Sequence, residues 1–295
     1  MSAPFFRKEF FLHARNFRLS LGLQTKIMGI LNLTPDSFSL DGIFPKNKKD
    51  LSRILVFIRK LISQGADIVD VGGESSRPGS SPIPVQEEIK RVIPVVKMLA
   101  DKIKIPISVD TYKPLVVQHA LDQGASIINN IKGITLDQTL LKMIQRYDAA
   151  IVLMHMRGNP KTMQRNTSYK NFFQDVLTEL QRSVEKCLDI GIKSDKIIID
   201  PGIGFGKTPA QNFALIQRLR EFQILNCPIL VGPSRKSFLG WLLQKEVDGR
   251  LMGTAAAVAV SVLNGAHMVR VHDVREMKDV VTICDAFLKL PTDKK

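Results

Sequence analysis

The chain is 295 residues long and 44% hydrophobic, enough for a large core and ordinary for one α/β barrel of about 250 residues. Lys plus Arg number 42 against 28 Asp plus Glu, a formal net charge of +14. The basic residues are scattered among only 3 tyrosines and 1 tryptophan, so they read as an evenly basic surface rather than a base-stacking platform for nucleic acid.

The first 26 residues carry Arg7, Lys8, Arg15 and Arg18 among Phe5, Phe6, Phe10 and Phe11. That mixture is compatible with a transit peptide. The alternative is a structural extension over residues 1–25, because Phe17–Leu21 alternates at period two and ends at Gly22, like a short strand or half of a hairpin.

From Ile27 onward short apolar strands alternate with helical patterns. Strand Ile27–Leu31 precedes helix Leu51–Ser63. Strand Asp67–Val71 precedes helix Val85–Ala100, and strand Pro106–Val109 precedes helix Pro114–Asp122. Strand Ser126–Ile128 leads to a helix near Leu136–Tyr147, and strand Ala150–Met154 to a long one over Asn171–Ile190. Strand Lys196–Ile199 is followed by Asn212–Glu221, Pro228–Val231 by Arg250–Leu263, and His267–Val271 by Met277–Leu288. Apolar runs of this kind belong to parallel strands buried on both faces. Eight such units predict a (β/α)8 TIM barrel forming a single domain over residues 26–295. An open doubly wound sheet is the alternative, but Asn32-Leu33-Thr34-Pro35 is no glycine-rich dinucleotide fingerprint.

No stretch approaches the roughly 20 apolar residues of a membrane span; Thr254–Leu263, the longest, reads as a buried helix. Cys187, Cys227 and Cys284 stand too far apart for a metal or disulfide framework and imply a reducing compartment, here the cytoplasm.

In barrels of this class chemistry sits at the C-terminal ends of the strands. Those ends carry Asn32, Gly72-Gly73-Glu74, Asp110, Asn129, His155, Asp200, Gly232 with Ser234-Arg235-Lys236, and Arg270 with His272. Singly, each also has a structural reading: Asp110 as a helix N-cap, Asp200 as a turn starter, Asn129 and Asn130 as turn residues, His155 as a packed histidine. Together they suggest a two-ended site. Carboxylates Asp110 and Asp200 suit a polar ring with side-by-side N–H donors; Arg77, Arg270, His272 and Lys236 suit a phosphate or carboxylate. Asn32 offers an oxygen to Mg²⁺. The run Gly202-Ile203-Gly204-Phe205-Gly206-Lys207-Thr208 fails the P-loop pattern by one residue, at Pro201, and reads as a tight turn beneath a ligand.

Ordered motifs carry a resemblance over Lys26 to about Leu288. They are Met28-Gly29-Ile30-Leu31-Asn32-Leu33-Thr34-Pro35-Asp36-Ser37-Phe38-Ser39, Asp70-Val71-Gly72-Gly73-Glu74-Ser75-Ser76-Arg77-Pro78-Gly79, Ser108-Val109-Asp110-Thr111, Asp200 to Lys207, Gly232-Pro233-Ser234-Arg235-Lys236-Ser237 and Arg270-Val271-His272-Asp273. With these the chain resembles the dihydropteroate synthases of folate biosynthesis. The resemblance implies a TIM barrel, usually a homodimer, that joins 6-hydroxymethyl-7,8-dihydropterin pyrophosphate to 4-aminobenzoate with Mg²⁺, releases pyrophosphate, and is a target of sulfonamides. By that resemblance Asp110, Asn129, Asp200 and Lys236 bind the pterin, with Ile131, Met154, Phe205 and Gly232 shaping its slot. Asn32, Arg77, Arg270 and His272 hold pyrophosphate and Mg²⁺. Phe38, Ser76, Arg77, Pro78, Lys236 and Ser237 form the aminobenzoate site. Asn32, Arg77, Asp110, Lys236, Arg270 and His272 are the catalytic set. Leu40 between Ser39 and Asp41, Ser76 in place of a commoner threonine, and Asn130 in place of a usual aspartate are departures. A corrinoid-linked methyltransferase on the same barrel should lack the Ser-Ser-Arg-Pro and Ser-Arg-Lys-Ser motifs. A non-catalytic paralogue should have lost Arg77, Lys236 or His272. A nucleic-acid module is suggested by charge alone.

Overall fold

A computed structural model of the chain describes residues 7–34, 48–165 and 167–289. The predicted residues Phe38, Leu40 and Asp41 lie outside them. An antiparallel hairpin comes first, β1 (Phe10–Ala14) against β2 (Phe17–Leu21). Then follow β3 (Lys26–Asn32), α1 (Lys48–Ser63), β4 (Ile68–Gly72), α2 (Val85–Lys102), β5 (Ile107–Asp110), α3 (Pro114–Asp122), β6 (Ile127–Asn130) and α4 (Gln138–Arg146). The second half runs β7 (Ala150–Met154), α5 (Phe172–Asp189), β8 (Ile197–Asp200), α6 (Pro209–Gln217), β9 (Leu230–Val231), α7 (Ser237–Leu243), α8 (Leu251–Leu263), β10 (Met268–Val271) and α9 (Val274–Lys289).

Strands β3 to β10 form one parallel sheet in the order β8-β7-β6-β5-β4-β3-β10-β9. A parallel bridge between Ile199 and Ile229 joins its two edges, so the sheet closes into the predicted barrel.

Alternation along each strand builds two cores. Ile27, Val69, Ile128, Ile151, Ile199 and Val269 point outward to the helices. Met28, Ile68, Ile127, Val152, Ile198, Leu230 and Met268 fill the barrel interior together with Leu12, Ala14 and Leu21 of the hairpin. The hairpin therefore plugs the end of the barrel opposite the strand C-termini. Arg7 pins its base: its guanidinium donates to Gly22 O, Thr25 Oγ1, Ala266 O and, at 2.8 Å, Asp285 Oδ1.

Several boundaries differ from the sequence reading. Helix α6 starts three residues before Asn212, because Thr208 and Gln211 form a reciprocal capping box and Pro209 occupies the first turn. It ends at Gln217, and a 3₁₀ segment Leu219–Leu225 replaces the last predicted turn. Helix α4 begins only after Asp137, whose carboxylate accepts the N–H groups of Thr139 and Leu140. The extension expected as a short strand or hairpin is the β1–β2 hairpin, whereas helix α7 has no counterpart in the sequence reading.

Candidate active site

Residues two apart on a strand share a face. Asp70, Asn129, Asp200 and Arg270 therefore stand directly above Ile68, Ile127, Ile198 and Met268, as a polar layer over the apolar interior. This layer is the floor of the site. Arg270 spans it: Nε donates to Asp70 Oδ2 at 2.6 Å and Nη2 to Asp110 Oδ2 at 2.9 Å. Asn129 Nδ2 donates to the same Asp70 oxygen at 3.1 Å. Burial opposes the Arg270 charge, but Asp70 and Asp110 outweigh it and raise its pKa above the ordinary value. Burial pushes the Asp110 carboxyl up, and Arg270 pulls it back.

Above this floor opens a cavity of about 390 Å³. Asn32, Ser76, Arg77, Pro78, Phe205, Gly232, Lys236, Ser237, Arg270 and His272, all predicted from the sequence, line it together with Ser234 and Arg235. Ile131, Met154 and Phe205 form one apolar cluster with Met156 and Met163, and Tyr112 packs against it. Asp110 and Asp200, on strands three steps apart, take different partners. Asp110 meets Arg270, whereas Asp200 accepts the Gly202 N–H at 2.7 Å, as the turn reading of Asp200 expects. Asp110 is no helix cap: the N-cap of α3 is Lys113. Asn130 Oδ1 accepts the Lys132 N–H at 2.8 Å and is a turn residue, while its neighbour Asn129 faces inward.

Lys236 caps α7 and donates to Ile203 O, with its ammonium 4.2 Å from the Phe205 ring centroid. Burial pulls its pKa down to about 7; Asp200 and Asp110 act the other way, and Arg270 adds to the lowering. Its neighbour Arg235 turns aside. Arg235 sits at φ +57° and pairs bidentately with Asp273, Nε to Oδ2 at 3.0 Å and Nη2 to Oδ1 at 2.5 Å. That left-handed residue costs of order 1 kcal/mol and sends consecutive side chains in different directions. His272 Nδ1 lies 3.0 Å from Ser234 Oγ, and burial, reinforced by Arg270 and Arg235, lowers its pKa to about 3. His272 thus enters as a neutral hydrogen-bonding group, not the cation that its place among basic residues suggested.

The glycine-rich turn after β8 is a backbone device. Gly202 and Gly204 take φ +73° and +83°. A Cβ on Gly202 would lie 1.9 Å from His155 O, and one on Gly204 2.7 Å from Lys236 Cδ. Lys207 points inward from this turn rather than toward a phosphate: Nζ bonds Phe205 O at 2.9 Å and faces His155 Nδ1 at 3.0 Å. His155 is fully buried and its Nε2 meets Glu179 on α5 at 2.9 Å, so it stands behind the site and not in it.

Asp70 and the Lys207–His155 pair were given no role by the sequence reading. A lone acid inside the apolar run Ile68-Val69-Asp70-Val71 was the available signal. Glu74 was noted at the rim without a partner; it holds the loop after β4 by meeting Lys113 Nζ at 2.6 Å, Tyr112 Oη at 2.9 Å and the Ile83 N–H at 2.8 Å.

Residues 28–272 match the sequence profile of the pterin binding enzymes. The dihydropteroate synthase of Escherichia coli K12 is 41% identical over 269 residues, covering 91% of this chain and 94% of that protein. The Yersinia pestis dihydropteroate synthase, solved with a sulfonamide drug, superposes with TM-score 0.87 at 38% identity over 94% of this chain and 98% of that one. The Xanthomonas albilineans dihydropteroate synthase, solved with 4-aminobenzoic acid, gives TM-score 0.87 at 34% identity over 96% and 100%. The chain therefore belongs to the pterin-binding enzymes and, among them, to the dihydropteroate synthases.

Proposed function

We propose that the cavity carries the synthase reaction with the division of labour foreseen from the sequence. The supporting observation is convergence: Asn32, Arg77 and Lys236 from three strand ends and loops, and Arg270 with His272 from the end of β10, line one cavity. The pterin ring enters the apolar slot of Ile131, Met154 and Phe205, beside Gly232. Asp200, Asn129, Asp110 and Lys236 meet its polar edges. Pyrophosphate lies toward Arg77, Arg270 and His272. Ser76, Pro78 and Ser237 face 4-aminobenzoate, with Arg77 and Lys236 at its carboxylate; the Yersinia pestis and Xanthomonas albilineans relatives hold a sulfonamide drug and 4-aminobenzoic acid, and sulfonamides are expected to bind here as mimics of that substrate. Phe38 is assigned to the same subsite by resemblance.

In the reaction the bond between the pterin methylene and the pyrophosphate oxygen breaks, and its electron pair leaves with pyrophosphate. Basic groups at that end stabilise the growing charge. Positive charge remaining on the methylene spreads into the pterin ring, where Asp110 and Asp200 stabilise it. The arylamine nitrogen then forms the new C–N bond and sheds a proton. No activated side-chain nucleophile is required.

Among the described residues no group of three or more His, Cys, Asp or Glu is arranged to hold a metal. Mg²⁺ takes oxygen ligands, keeps several of its waters and bonds substrate phosphates, so a single amide oxygen lining the cavity suits it. Asn32 is the protein oxygen we assign to it, and the ion would supply charge neutralisation to the leaving group.

We further propose a homodimer in the cytoplasm. Trp241, Leu242, Met252, Val260, Ile283 and Phe287 of α7, α8 and α9 are exposed apolar residues suited to a second copy. The three cysteines are free and buried, as in a reducing compartment. Among the described residues no helix is long and apolar enough to cross a membrane. The deciding experiment is pyrophosphate release from the pterin pyrophosphate with and without 4-aminobenzoate. Release that ignores the arylamine would overturn the reading.

A further inference from the structure

Asp70 is 0% exposed, in the middle of β4. A buried carboxylate is costly unless it is paired and hydrogen-bonded. Here one oxygen, Oδ2, receives both Arg270 Nε from β10 and Asn129 Nδ2 from β6. Oδ1 has no hydrogen-bond partner among the described residues. An ionised carboxylate only accepts. It therefore fixes which end of the Asn129 amide faces it: the NH₂ turns to Asp70 and the carbonyl oxygen is left for another donor. The same oxygen anchors the Arg270 guanidinium through Nε, while Nη2 reaches Asp110. Asp110 ends its strand against Arg270, which lines the cavity, with its side chain 10% exposed, whereas the Asp70 side chain is 0% exposed. A ligand can draw Asp110 away from Arg270 without uncovering Asp70.

We propose that Asp70 is a positioning residue that orients Asn129 toward the pterin and Arg270 toward the pyrophosphate, so that one buried carboxylate aligns both halves of the same substrate. Asp70 is the retained counter-ion of Arg270 and Asp110 the exchangeable one. This assignment rests on the pterin and pyrophosphate ends proposed above.

Asp70→Asn keeps the shape, removes the charge and can turn a donor toward two donors. We expect the KM for the pterin pyrophosphate and the inhibition constant of product pyrophosphate each to rise about tenfold, with the KM for 4-aminobenzoate within about twofold of wild type. Unchanged pterin and pyrophosphate constants would overturn the proposal. So would an equal loss in all three constants, the signature of a general packing defect. If Asp70→Asn does not fold, a double-mutant cycle between Asn129→Ala and Arg270→Lys serves instead. We expect coupling of about threefold or more in the pterin pyrophosphate KM, because the two side chains share Asp70. Strictly multiplicative effects would overturn the proposal. Wild-type enzyme whose pyrophosphate release ignored 4-aminobenzoate would sink the functional reading itself, independently of either variant.

Discussion

Lys207 Nζ lies 3.0 Å from His155 Nδ1, beneath the turn that presents Asp200. Burial, then Lys207, lowers the His155 pKa to about 4, so the ring is neutral; Nδ1 accepts from the Lys207 amine, whose own pKa burial lowers to about 7, and Nε2–H donates to Glu179. Lys207 also donates to Phe205 O at 2.9 Å and His155 O at 3.3 Å, tying strand β7 to the glycine turn. Lys207→Met should loosen that turn and raise the pterin KM about tenfold, with the 4-aminobenzoate KM nearly constant. Steady-state kinetics in each substrate separates the two; equal changes would make Lys207 a general stability residue.

Asp200→Asn should weaken pterin binding sharply. The Gly202 N–H, 2.7 Å from Asp200 Oδ1, would hold the amide oxygen, leaving the NH₂ to confront the donor edge of the pterin. A buried donor left unsatisfied costs roughly 1–3 kcal/mol, or about 5- to 150-fold in affinity. Calorimetry with the pterin pyrophosphate measures it, and unchanged affinity would remove Asp200 from the site.

Arg270→Ala carries two separate consequences. It strips Asp70 of its only cation within 4 Å among the described residues, so unfolding in urea should reveal a loss of about 3–5 kcal/mol. It should also weaken the pterin pyrophosphate far more than 6-hydroxymethylpterin. Equal loss for the two ligands would leave Arg270 with a structural role alone.

His267 offers a pH test remote from the site. It is fully buried; Nδ1 accepts the Ile229 N–H at 3.0 Å, Nε2 donates to Lys8 O at 2.9 Å, and burial lowers its pKa to about 4. The unfolded chain takes up this proton near the ordinary histidine value of 6.5 and the folded chain only near 4. Between those values the unfolded state binds more protons, so stability falls as pH drops from 6.5 toward 4, by up to about 3 kcal/mol. In His267→Gln the dependence of unfolding free energy on pH over that window should be shallower by about one proton. An identical slope would show that His267 does not resist protonation.

The amino-acid order by itself determined the barrel and the identity of most groups around the cavity. Eight apolar strands alternating with amphipathic helices leave few ways to bury both strand faces. Period-two alternation places Asp200 and Arg270 on the inner face wherever Ile198 and Met268 are inner. Local chemistry missed only what short segments cannot show. The capping box at Thr208 moved α6, and α7 follows Lys236 without an amphipathic repeat long enough to announce it.

The tertiary structure alone decided who pairs with whom. Asp70 and Arg270 are 200 residues apart, and Lys207 and His155 are 52 apart. Nothing in either local sequence specifies the partner. The closed sheet decides it, because strands brought side by side fix which inward side chains meet at each height. The same closure removes the water that would otherwise weaken these contacts. In that setting a histidine set among basic side chains becomes neutral, a lysine that resembled a phosphate ligand becomes a buried strut, and an acid hidden in an apolar strand becomes the shared anchor of Asn129 and Arg270.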